Sequence, residues 1–174
     1  LEIGKNVDSY TVLAYASESI PDDIFSGKSI KDPEVVVEKI SQALKAAGIK
    51  TKKAAIAVPD SLVISKIVQI EAGLTDDETE EFIFLEADKY IPYSIDEVSI
   101  DYEFLDNKSS SSSLQEVLVV ASRTENVNSR VDILRECGLD VQVVDVESYA
   151  IERTCQLFKE QLADLGENST LAVF

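Results

Sequence analysis

Two short apolar runs, "KAAIAVP" at residues 53–59 and "DVQVVDVE" at residues 140–147, each follow a helical pattern that stops at a glycine, Gly48 and Gly138. Runs of this length read as strands, and helices between strands supply the long crossovers that parallel pairing needs. The chain is therefore expected to be an α/β fold built on a parallel core sheet. The helix ahead of the first run carries its own start signals. Asp32 is placed to cap it, Pro33 to take its first position and Glu34 to sit in its first turn, while Val36, Val37, Ile40 and Leu44 keep helical spacing. Thr124 is expected to cap the helix ahead of the second run, which carries Val127, Val131 and Leu134. At the start, Leu1–Ile3 and Tyr10–Glu18 read as a strand pair around a turn containing Gly4. At the end, Ile151, Cys155, Phe158, Leu162 and Leu165 space as a helix closed by Gly166, and "STLAVF" reads as a strand.

A second pattern lies between the two core runs. Leu62–Ile70 is β-rich, and Thr75-x-x-Glu78 is a capping box that opens a helix. Ile83, Phe84, Ala87, Tyr90 and Ile91 form its apolar stripe, and Pro92 is expected to end it, since proline cannot continue a helix interior. Val98, Ile100, Tyr102 and Phe104 alternate with Ser99, Asp101 and Glu103, as in a half-buried strand. "DNKSSSSS" is a Ser-rich loop, expected to be mobile from Asn107 to Ser113 for want of apolar burial. "EVLVVASR" reads as a covered strand. The organisation expected is a core in two parts, residues 1–59 and 124–174, interrupted by a strand–helix–strand–strand unit at residues 60–123.

Composition narrows the function. A net charge of −17 argues against nucleic acid and anionic lipid, both of which demand a basic face. The same acidity suits a basic partner, and serves solubility equally well. The apolar runs are too short to cross a bilayer, which takes about 20 residues, so no direct membrane insertion is expected, and no signal-peptide pattern opens the chain. The chain has no histidine, so no His-based triad or His-ligated metal can form. Cys137 and Cys155 fall on apolar helical faces without zinc spacing and are expected to be free thiols. Neither a P-loop nor a dinucleotide fingerprint is present. Asp164-Leu165-Gly166 matches a phosphate-hairpin Asp-x-Gly, but it follows a helix stripe and reads as a helix stop. Asp76, Asp77 and Glu78 complement a helix dipole. No catalytic, cofactor-binding or metal residue is expected. A chain without methionine also reads as a piece of a longer protein.

Three stretches go further. "AAIAVPDSLVISKIVQIEAGLTDDETEEFIFLEADKYIPYSIDEVSIDYEFL", "VVASRTENVNSRVDILRECGLDVQVVDVESYAIE" and the opening "LEIG" resemble the PilM family of actin-like type IV pilus assembly proteins, related to FtsA. "LEADKYIPY" and "VVDVESYA" are the most specific parts, and the resemblance covers nearly the whole chain. It implies a partial actin-like (RNase H-like) core with an inserted SHS2, or 1C, subdomain, which agrees with the unit at residues 60–123. It implies a cytoplasmic protein, peripheral to the bacterial inner membrane through its partners. It implies capture of the N-terminal cytoplasmic tail of an inner-membrane protein such as PilN, between core and insertion. ATP and magnesium are implied for the full-length parent. The family's phosphate turns fall before Leu1 and after Phe174, so this chain is expected to bind no cofactor and to lack ATPase activity. A sheet edge left unpaired by a missing first strand would be a place for self-association. The alternatives are a nucleotide-dependent actin-like ATPase in the full-length parent and the cytoplasmic domain of a related type II secretion platform protein.

On that resemblance the partner-binding candidates are the junction residues Asp60 and Arg123, the strand-exit residues Asp145 and Glu147 with the following Tyr149, and Tyr93 beyond the inserted helix. Carboxylates at 145 and 147 suit a basic tail residue, or else cap a helix starting near Ser148. Tyr149 and apolar neighbours suit an apolar anchor. Tyr93 either packs or takes part in recognition.

Overall fold

Lys53–Val58 (β5) and Asp140–Val146 (β9) lie side by side as a parallel pair, with Ala57 opposite Asp145 and Val58 opposite Val146. The computed structural model describes residues 1–7, 9–87, 89–105 and 113–157. Pro33–Ala47 (α1) and Thr124–Glu136 (α3) pack on each other, and α3 also packs on both strands of the pair. Val36 of α1 and Ile133 of α3 are buried with Ile24 at the centre of this contact. The local signals at α1 act as read. The Asp32 carboxylate accepts the Val35 N–H at 3.3 Å, and Gly48 closes the helix at φ 65°. That left-handed backbone is one that glycine adopts without penalty.

At α3 the expected cap is displaced. β8 (Leu114–Arg123) runs straight into the helix, so the last strand residue, Arg123, takes the cap position without a side-chain bond. Thr124 is already helical, and its hydroxyl lies 3.1 Å from that of Ser99.

The opening strands are Glu2–Lys5 (β1) and Tyr10–Ala14 (β2), antiparallel. Gly4 is not in their turn. It lies within β1 opposite Thr11, where a Cβ would stand 3.1 Å from a Leu13 methyl carbon. The turn is closed by the Asn6 N–H on the Ser9 carbonyl, and β2 ends at Ala14 rather than Glu18. A two-residue hairpin, Phe25–Ser26 (β3) and Ser29–Ile30 (β4), precedes α1.

Between β5 and α3 lie Val63–Glu71 (β6), Asp76–Ala87 (α2), Val98–Phe104 (β7) and β8. The strands form one antiparallel sheet in the order β6–β8–β7. Its α2-facing side carries Ile70, Val117, Val119 and Tyr102, and Ile83 of α2 packs among them. The capping box forms: the Thr75 N–H donates to the Glu78 carboxylate at 2.8 Å, and the Glu78 N–H to the Thr75 hydroxyl at 3.3 Å.

The helix stripe is narrower than its spacing suggests. Ile83, Ala87 and Ile91 are buried, whereas Phe84 and Tyr90 are exposed. Pro92 is not the stop. Regular helix ends at Ala87, whose carbonyl accepts both the Tyr90 and Ile91 N–H groups at 2.9 Å. This tightened turn carries Ile91 onto Ala121 of β8 before the proline is reached.

The last described helix is Glu147–Leu157 (α4). Both cysteines are free and half-buried; Cys137 lies just past α3, with its Sγ 3.7 Å from the Ser41 hydroxyl. The Ser-rich segment 107–112, the residues Phe158, Leu162, Leu165 and Gly166, the Asp164-Leu165-Gly166 triplet and the final "STLAVF" lie outside the described residues.

Candidate partner groove

The central strand β8 is apolar on both faces. Val117, Val119 and Ala121 turn toward α2, so alternation sends Leu118 and Val120 to the opposite face. Of the helices among the described residues, only α3, at Val127, and the start of α4 border that second face. The face forms one wall of a groove of about 440 Å³, with Asp101 and Glu103 of β7 beside the two aliphatic residues. The other wall comes from the core: Val143, Val144 and Asp145 of β9, then Tyr149 and Arg153 of α4. Val143 is 52% exposed, so β9 offers the groove a half-exposed aliphatic side chain.

The groove is acidic, with three carboxylates against one guanidinium. Asp145 is held from two sides. One oxygen accepts the Val146 N–H at 2.7 Å, and the other is ion-paired with Arg153. The Asp145 hydrogen bond raises the Arg153 pKa above its ordinary value, against a smaller effect of burial, and Glu103 adds to the rise. Arg153 therefore stays charged throughout the accessible pH range.

The structure does not bring the six sequence candidates together. Asp145 and Tyr149 line the groove. Asp60 serves the fold instead: its carboxylate accepts the backbone N–H of Ser148 at 3.3 Å and also binds the Ser148 hydroxyl, satisfying a donor in the first turn of α4. Glu147, the first residue of α4, faces a separate cleft with Arg130 and Pro59. There Arg130 donates to the Asn126 and Lys28 carbonyls at 2.9 and 2.8 Å; burial lowers its pKa and Glu147 opposes that shift. Tyr93 and Arg123 meet elsewhere, with the guanidinium carbon 5.5 Å from the ring centroid, and Arg123 also pairs with Glu125 at 3.3 Å.

Asp101, Glu103, Leu118, Val120 and Arg153 were not singled out from the sequence. The signal for Arg153 was present, since it stands four residues after Tyr149 and shares its helix face. No group of three or more His, Cys, Asp or Glu side chains is placed to hold a metal ion among the described residues. No described helix is long and apolar enough to cross a membrane.

Comparison with known proteins decides the family. The family described as "Type IV pilus assembly protein PilM" matches residues 1–174. The chain belongs to the PilM family. A chain of a solved PilM-PilN type IV pilus biogenesis complex superimposes with a TM-score of 0.80 at 27% identity, over 94% of this chain and 47% of that one. This PilM-family chain thus spans about half the length of that relative, and its mixed α/β architecture matches the actin-like PilM fold. The family is one of type IV pilus assembly proteins. The cytoplasmic domain of EpsL, an inner-membrane component of the type II secretion system of Vibrio cholerae, matches at a TM-score of 0.44 and 18% identity, over 63% of this chain and 42% of that domain. A likeness that low carries no argument.

Proposed function

We propose that this PilM-family chain is a capture module. It takes the N-terminal cytoplasmic tail of a PilN-like inner-membrane protein into the groove between the β6–β8–β7 sheet and the β9–α4 segment. The groove's composition carries the reading: aliphatic side chains on both walls, Leu118 and Val120 facing Val143, with an aromatic side chain at Tyr149 and carboxylates at Asp101, Glu103 and Asp145. An extended peptide with alternating aliphatic and basic residues would bury apolar groups between these walls and set its cations against the carboxylates. The solved PilM-PilN complex supports the partner class. The chain would act at the cytoplasmic face of the inner membrane, held there by the partner's own anchor. Its activity is binding rather than catalysis, since it contains no phosphate-cradling glycine motif.

The test is isothermal titration of the PilN N-terminal peptide from the same organism into the chain. Saturable binding is expected, with loss of most affinity in Val143→Asp, a change at an exposed position that the fold should tolerate. No binding, or an unaltered Kd in the folded variant, would overturn the groove.

A further inference from the structure

The Arg153–Asp145 ion pair is lopsided. Asp145 is 23% exposed and anchored through Val146, whereas Arg153 is 54% exposed and hangs on a long side chain at the groove wall. The carboxylate is thus held on two sides, and the guanidinium is the more solvent-exposed partner of the pair. A peptide lying over Asp145 would remove water from that carboxylate. Such burial is costly unless a cation stays with it. The bound state must therefore keep Arg153 in place or supply a cation of its own.

We propose that Arg153 is an internal stand-in for a basic residue of the captured peptide: it occupies Asp145 in the empty groove and yields it when a Lys or Arg side chain of the peptide arrives. The proposal rests on the capture reading above and adds the groove's selection for charge. Three observations favour exchange over retention. Arg153 lines the same groove as Tyr149, one helical turn away, so its side chain stands in the space the peptide would cross. Glu103 on the opposite wall acts on Arg153 electrostatically, so the position suits a cation whichever chain carries it. The carboxylates outnumber the single guanidinium, so the groove still attracts positive charge while Arg153 is in place. Exchange makes Arg153 a specificity device: a peptide without a cation gains nothing from displacing it, and a basic peptide loses affinity equal to the pair it must break.

The experiment titrates the PilN N-terminal peptide, and an analogue with its Arg and Lys residues replaced by Gln, into the wild-type chain and into Arg153→Gln. Removing the internal competitor is expected to tighten binding of the native peptide about fivefold at low salt, the scale of a partly exposed ion pair. The salt dependence should steepen, because binding now forms a pair without breaking one. The neutral analogue should gain nothing. Asp145→Asn, which removes the shared carboxylate, should narrow the preference for the native peptide over the analogue to what Asp101 and Glu103 sustain. Equal or weaker native-peptide affinity in Arg153→Gln, equal gains for both peptides, or an undiminished preference in Asp145→Asn would each overturn the stand-in while leaving the groove intact. Failure of the wild-type chain to bind the native peptide would overturn the capture reading and this proposal with it.

Discussion

The carboxylate of Asp60 reaches Ser148, 88 residues further along the chain, and accepts both its backbone N–H and its hydroxyl. Asp60 sits where the chain leaves β5 for the inserted unit, and Ser148 sits in the first turn of α4. One side chain therefore joins the root of the insertion to the helix that forms the far wall of the groove.

That link should be measurable as stability. Asp60→Ala is expected to cost about 1 kcal/mol, the usual scale for loss of a helix-capping oxygen. The double variant with Ser148→Ala should cost little more than Asp60→Ala alone, because the two residues share one interaction. Urea midpoints on the three proteins check this. Additive losses would mean that the two side chains act independently.

The residues around Pro92 should respond very differently. Ile91 is buried against Ala87 and Ala121, so Ile91→Ala should lose about 2–4 kcal/mol. Tyr93 is 43% exposed and its described contact is with the Arg123 guanidinium, so Tyr93→Ala should lose about 1 kcal/mol at most. Pro92→Ala should change stability little, since the helix has already ended at Ala87. Thermal midpoints rank the three. A large loss at Tyr93 would show that it packs more deeply than its exposure indicates.

The α2 capping box predicts a pH dependence. The Thr75 backbone N–H, and then its hydroxyl, hold the Glu78 carboxyl below its ordinary pKa. A folded pKa below the unfolded value, about 4.3, means that the charged form favours the folded state. This contribution is fully present above the unfolded pKa and is lost as pH falls through the folded one. Glu78→Gln should therefore flatten part of the acid limb of the stability curve below about pH 5. Superimposable acid limbs for the two proteins would contradict it.

Of the two strand-exit carboxylates, only Asp145 is expected to matter for the peptide. Glu147→Gln should leave its Kd within about twofold, whereas Asp145→Asn should weaken it several-fold, the usual range for a partly shielded charge contact. Equal effects would place both residues in the same site.

Titration with ATP and magnesium is expected to give no saturable binding at micromolar concentrations. Calorimetry checks this directly, and a defined binding isotherm would overturn the expectation that this chain lacks a nucleotide site.

The sequence revealed most where the cause was local. Asp32, Pro33 and Gly48 act within a few residues of themselves, and α1 follows them closely. The alternation from Val98 to Phe104 was readable for the same reason, since it depends only on which face of one strand is covered. Gly4 was misread because its requirement comes from Leu13 across the strand pair, a contact that sequence spacing does not show. The groove was half visible. Asp145 and Glu147 look equivalent at a spacing of two, but the strand ends between them and the helix turns Glu147 to another cleft. Asp101 and Glu103 read as an ordinary solvent face, because nothing on β7 announces that β9 stands opposite. Asp60 had the right location and a different task, since its partner lies far along the chain.

The two ends of the inserted unit leave through paired strands, with Val63 opposite Ser122 and the Ser122 hydroxyl donating to the Leu62 carbonyl at 2.8 Å. This has a consequence for the order of folding. β5 and β9 are distant in sequence, and closing a loop of that length costs chain entropy that grows with the number of free residues. Once the β6–β8–β7 sheet has formed from its own neighbours, most of that loop is already closed, and only the short spans at its neck and the α3 connection remain to be ordered. The unit should therefore speed assembly of the core it interrupts. Weakening the unit with Val117→Ala, a substitution far from β5, should slow the folding of the parallel pair as well, measured by stopped-flow refolding.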